Sequence, residues 1–123
     1  MKQTKEQKIV QEFIKFGKLV KGGDFYFPSK YAKRFIERSR EEDSAILGIE
    51  GFLVHQDTGA MEAKLDWIAD YSPSFVPASH WEEYVKICYA KAEQFLNELP
   101  KNQNIWVNFV LFEKKQWEQA RKS

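Results

Sequence analysis

The run Ile105-Trp106-Val107-Asn108-Phe109-Val110-Leu111-Phe112 constrains the fold more than any other stretch of the chain. Side chains alternate between the two faces of a strand, and here nearly both faces are apolar. Such a segment belongs at the centre of a sheet or in some other well-covered position. A chain of 123 residues can supply the cover. At this size folding buries somewhat under ~70% of the surface that the unfolded chain exposes. Four Trp, five Tyr and ten Phe provide much of the core, since each aromatic ring can bury about 150–250 Å². A single domain spanning residues 1–123 is expected.

The elements that could cover this strand are readable from periodicity. Ile9, Val10, Phe13, Ile14, Phe16, Leu19 and Val20 recur at helical spacing, and Lys5, Lys8, Glu12, Lys15 and Lys18 occupy the other side, which predicts a helix from Lys5 to Lys21. Thr4 with Gln7 forms a capping-box pattern at its start, and Gly22-Gly23 supplies a stop. Asp24-Phe25-Tyr26-Phe27-Pro28 is too short to stand alone, and its rings are expected to cover the edge of the core. Ser29 then caps a second helix, Lys30 to Arg40. The clearest helix starts from Ser79, whose spacing to Glu82 is a second capping box, and runs to Leu99 before Pro100. Glu113 to Arg121 can close the chain as a short helix anchored by Trp117.

Two further strands complete the sheet. Ala45 to Val54 is rich in β-branched and bulky residues; its Gly48 and Gly51 mark a bulge or a close approach of backbone. Asp57-Thr58-Gly59 turns the chain back through Met61 to Tyr71 as a hairpin. Alternation puts Leu65, Trp67, Ala69 and Tyr71 on one face and Lys64, Asp66, Ile68 and Asp70 on the other. The order α-α-β-β-α-β-α gives the fold class α+β: a small antiparallel or mixed three-stranded sheet packed against helices. A right-handed crossover makes the second and third strands parallel, with the third beside the first in the order 3-1-2.

Several function classes are disfavoured. No apolar run reaches the ~18 residues of a membrane span, and the first residues lack the pattern of a secretory signal, so a cytoplasmic protein is expected. The lone Cys88 allows no internal disulfide and no cysteine-based zinc cluster; lying in the apolar stripe of its helix, it reads as a small buried hydrophobe. His55 and His80 stand too far apart in sequence for a metal-ligand spacing. Asp66 and Asp70 are about 13 Å apart along a regular strand, too far for paired carboxylates. Gly48 and Gly51 precede no helix, so they form no phosphate loop. The expectation is a protein without catalytic residues, metal or cofactor.

Charge is informative in blocks. The formal net charge of +1 hides eleven Lys and Arg against four Asp and Glu in residues 1–40, three against twelve in 41–99, and five against two in 100–123. Glu50, Asp57, Glu62, Asp66 and Asp70, with Trp67 and Tyr71 beside them, form a candidate surface for a basic protein partner. For Trp67 and Tyr71 the competing expectation is core packing on the inner face of the sheet. The alternative function is a small nucleic-acid-binding module using the basic N-terminal helices, although no helix-turn-helix or aromatic RNA-binding signature accompanies them.

Ala45-Ile46-Leu47-Gly48-Ile49-Glu50-Gly51-Phe52, followed after the turn by Asp66-Trp67-Ile68-Ala69-Asp70-Tyr71-Ser72, resembles the small bacterial immunity proteins that protect cells from polymorphic toxins, including those of contact-dependent growth inhibition. The resemblance covers the hairpin together with the size and α+β layout. It implies a cytoplasmic antitoxin that binds one cognate toxin domain, often a nuclease, either plugging its active site or covering an adjacent surface. Many such proteins are acidic overall, whereas this chain is near neutral. That departure either weakens the active-site plug or confines the acidic surface to the middle block.

Overall fold

The computed structural model describes residues 3–122. Its helices are α1 (Lys5–Phe13), α2 (Ala32–Glu41), α3 (Trp81–Glu98) and α4 (Lys114–Arg121), and its strands are β1 (Lys18–Leu19), β2 (Phe25–Pro28), β3 (Ala45–Val54), β4 (Met61–Asp70) and β5 (Ile105–Phe112). They form an α+β domain with one five-stranded sheet in the order β1-β2-β5-β3-β4, every neighbouring pair antiparallel. The doubly apolar strand β5 is the middle one, as its composition requires. The order β5-β3-β4 and the parallel directions of β4 and β5 match the sequence reading. The two N-terminal strands do not appear in it.

That difference begins at the first helix. Its capping box is formed, with Thr4 Oγ1 accepting the Gln7 N–H at 3.0 Å and Gln7 Oε1 accepting the Thr4 N–H at 2.9 Å. The α-helix nevertheless stops at Phe13, passes through one 3₁₀ turn, Ile14–Phe16, and gives way to β1. Gly22 and Gly23 adopt positive φ, as a helix stop would, but they sit in the turn between β1 and β2, where the Val20 N–H donates to the Asp24 carbonyl. Likewise the aromatic segment 25–28 is a strand whose Phe25 and Phe27 rings point into the core. Phe27 stacks on Phe35 of α2 and Phe109 of β5 and meets Phe13 of α1, a cluster worth more than the local helical preference of residues 14–21.

Two other boundaries shift for identifiable reasons. Ser29–Tyr31 form a 3₁₀ turn ahead of α2, so Ser29 does not cap the α-helix itself. At α3 the N-cap is His80 rather than Ser79: His80 Nδ1 accepts the Glu83 N–H at 3.3 Å, and the Glu83 carboxylate accepts the Ser79 N–H at 2.7 Å. The capping logic holds, displaced by one residue.

The core lies between the helices and one face of the sheet. Ile105, Val107, Phe109 and Leu111 of β5 and Ile46 and Ile49 of β3 are buried there. From α3, the Tyr84 hydroxyl donates to the Tyr71 carbonyl at 2.6 Å, with Cys88 Sγ 3.9 Å from the same oxygen, and the Tyr89 hydroxyl donates to the Ser44 carbonyl. Trp117 anchors α4 against Trp81 and Tyr84, as expected. No helix among the described residues is long and apolar enough to cross a membrane.

Candidate protein-docking surface

Alternation sends the remaining strand residues to the opposite face. Tyr26 lies between the inward Phe25 and Phe27, Trp106 between Ile105 and Val107, and Phe52 beside the buried Gly51. The registers Phe52↔Trp106 and Trp106↔Pro28 set these residues in one row, and Glu50↔Asn108 and Glu50↔Ile68 form the adjacent one. Continuing the β2–β5 register places Tyr26 beside Asn108. The Tyr26 and Phe52 rings meet edge to face at 5.1 Å across β5, over the row holding Asn108. This explains how Asn108 becomes buried on an otherwise accessible face; its Nδ2 donates to the Phe25 carbonyl at 3.0 Å. Tyr26, Glu50, Phe52 and Trp106 are half-buried, while Ile68 and Val110 are exposed.

The hairpin holds the residues that the sequence singles out, but not as one surface. From Glu50 to Phe52 on β3, the partner on β4 jumps from Ile68 to Ala63, so Lys64, Leu65, Asp66 and Trp67 bulge out opposite Gly51. The bulge breaks the expected alternation. Leu65, expected on the inner face, is 88% exposed. Trp67 does turn inward, half-buried against Gly51 and beside a groove shared with Asp66 and with Phe95, Glu98 and Leu99 at the end of α3. Asp70 pairs with Gly48 and belongs to the outer row with Val110. Asp66 and Asp70 therefore address different surfaces, correcting the expectation that they share one.

The remaining candidates divide similarly. Tyr71 is buried, its hydroxyl donating to the Lys91 carbonyl at 3.2 Å and its own carbonyl engaged by α3, so it leaves the candidate surface for the core. Burial pushes its hydroxyl up to about 12. Glu62 is exposed but already partnered, 2.7 Å from Lys64 Nζ and 3.0 Å from His55 Nε2, contacts that hold its carboxyl below the ordinary value. Asp57 accepts the Thr58 N–H within its turn at 3.0 Å. Among the described residues, Glu50, Asp66 and Asp70 form no ion pair with a cation of the chain. The aromatic part of the surface is Tyr26, Phe52 and Trp106, which sequence reasoning did not select. The alternation within Ile105–Phe112 carries that signal, because it separates Trp106 from the inward positions.

The basic N-terminal block is partly neutralised internally. Arg38 Nε and Nη2 grip the Glu12 carboxylate at 2.6 and 2.7 Å, Nη1 reaches Glu41 at 2.7 Å, and Lys8 Nζ meets Glu42 at 3.0 Å. Hydrogen bonds from Arg38 and Lys8 hold the Glu12 and Glu42 carboxyls below their ordinary values. A groove of about 710 Å³ runs along α1 beside the β1–β2 turn and is lined by Gln3, Gln7, Gln11 and Leu19 together with the carboxylates of Glu6 and Asp24. Among the described residues no group of three or more His, Cys, Asp or Glu is placed to hold a metal ion. Comparison with family models, curated proteins and solved structures finds no match to this chain.

Proposed function

We propose that the chain is an immunity protein, an antitoxin that neutralises a cognate toxin domain of basic surface by stoichiometric binding in the cytoplasm, without catalysis or cofactor. A nuclease is the toxin chemistry that fits best, because an enzyme that holds nucleic acid needs a cationic site. One observation carries the reading: among the described residues Glu50 and Asp70, on the outer face of the sheet, have no cation paired with them and lie beside the exposed apolar side chain of Ile68. Carboxylates next to apolar anchors favour fast association with a basic partner and a core of contact that excludes water. The nucleic-acid alternative draws on a block whose Arg38 and Lys8 are already engaged by carboxylates.

The test is co-expression with the polypeptide encoded immediately upstream, scored by growth and then by co-elution from a sizing column. A neighbour that kills alone, is rescued by this chain and elutes with it in fixed ratio supports the reading. A harmless neighbour and no complex removes it.

A further inference from the structure

The outer face of the sheet carries an unusual combination for an accessible surface. At its centre Glu50 is half-buried, flanked in its row by Asn108 and Ile68, with Phe52 and Trp106 in the next row and Tyr26 across β5. Removal from water, with the charges of Asp24 and Glu50 adding to it, raises the Tyr26 hydroxyl above its ordinary value. Glu50 forms no ion pair with a cation among the described residues. A group that completes such a site must be cationic and planar enough to lie along aromatic rings. A guanidinium does both, forming paired hydrogen bonds to a carboxylate while stacking on a ring face. A second copy of this chain whose two-fold axis fell at Glu50 would press that carboxylate against its own equivalent in a desolvated interface.

We propose that the outer sheet face is the docking surface for a basic protein partner, which seats an arginine side chain on Glu50 against the rings of Tyr26, Phe52 and Trp106. The inference deepens the antitoxin reading and rests on it only for the basic nature of the partner. It shifts the centre of binding from the hairpin end to the middle of the sheet. Asp70, in the adjacent outer row, adds to the attraction, whereas Asp66 lies outside the footprint.

The test uses the full chain and a defined probe, the blocked peptide acetyl-Gly-Arg-Gly-amide, followed by amide and indole chemical shifts. Its control is the same peptide with citrulline, which keeps the shape and removes the charge. The expected result is saturable millimolar binding with shifts centred on Glu50, Phe52 and the Trp106 indole N–H, at least fivefold weaker for citrulline. Glu50→Gln, a near-isosteric change at a half-exposed site, should weaken the arginine peptide by a similar factor while its spectrum shows the fold intact. No saturable binding, equal binding of the two peptides, or shifts centred on Asp57, Glu62 and Asp66 would each overturn the proposal. So would a concentration-dependent dimer that uses this face. Success here with failure of co-expression keeps the docking face and discards the toxin. The reverse keeps the toxin and returns its contact to the hairpin end.

Discussion

Gly51 and Trp67 face each other across the β3–β4 pair so closely that a Cβ at position 51 would lie 2.9 Å from the Trp67 Cβ. The missing side chain is what lets the indole fold over β3 and what fixes the place of the bulge in β4. Gly51→Ala forces either the strand or the indole to move, and overpacking of this kind costs about 1–3 kcal/mol. Urea unfolding should show the lower midpoint. Trp67→Gly removes the Cβ that an alanine at position 51 would strike, so the double variant should be less destabilised than the two single losses combined. Strict additivity would mean that the two positions do not sense each other.

The Tyr71 carbonyl offers a second, independent measurement. It accepts the buried Tyr84 hydroxyl at 2.6 Å, and its remaining neighbour is the weak donor Cys88 Sγ at 3.9 Å. Tyr84→Phe leaves that oxygen buried with little compensation, which costs about 1–3 kcal/mol. Tyr71→Phe removes a hydroxyl bound to the Lys91 carbonyl, an acceptor inside α3 that keeps its helical partner. The expected order of unfolding midpoints is wild type, then Tyr71→Phe, then Tyr84→Phe. Equal losses would mean that the Tyr84 bond does not hold the end of β4 to α3.

Much of this arrangement is legible in the sequence where the signal is local. Thr4 and Gln7 announce the start of α1, and β3, β4 and β5 are readable with their order because alternation and a crossover helix suffice. What escapes depends on distant partners. Leu19 keeps helical spacing with Phe16, yet Lys18–Leu19 form a strand through pairing with Phe25 and Tyr26. The candidate surface suffers in the same way. Nothing within Lys64–Trp67 announces a bulge, since its cause is a glycine on the facing strand, and the bulge is what separates Asp66 from Asp70.

Acid should loosen the contact between α1 and α2. The Glu12 and Glu42 carboxyls, held below their ordinary value of 4.5 by Arg38 and Lys8, contribute stability that is fully present above that value. The contribution is lost as pH falls through their lowered folded values. Glu6, raised by burial, acts in the opposite sense, because its desolvation is relieved on protonation. Arg38→Met removes the common partner of Glu12, Glu41 and Glu42. Its melting temperature should fall below that of the wild type near neutrality, modestly because these groups are solvated. The gap should close as the solution is taken to about pH 3. A gap independent of pH would mean that packing of the arginine stem, rather than its charge, joins the helices.

Cys88 should report on the opening of α3 from the sheet. Its thiol is fully buried, and desolvation pushes it up to about 11, so at pH 8 only about one part in a thousand is thiolate. An aromatic disulfide reagent should leave the folded chain unreacted over a time in which the urea-unfolded chain releases one equivalent. Below the unfolding transition the labelling rate should rise with urea as local opening becomes more frequent. Tyr84→Phe weakens the hold on the same Tyr71 carbonyl that Cys88 approaches, so it should speed labelling even where the chain stays folded. Prompt stoichiometric labelling of the native wild type would contradict the sealed α3–β3 contact on which this account of the core depends.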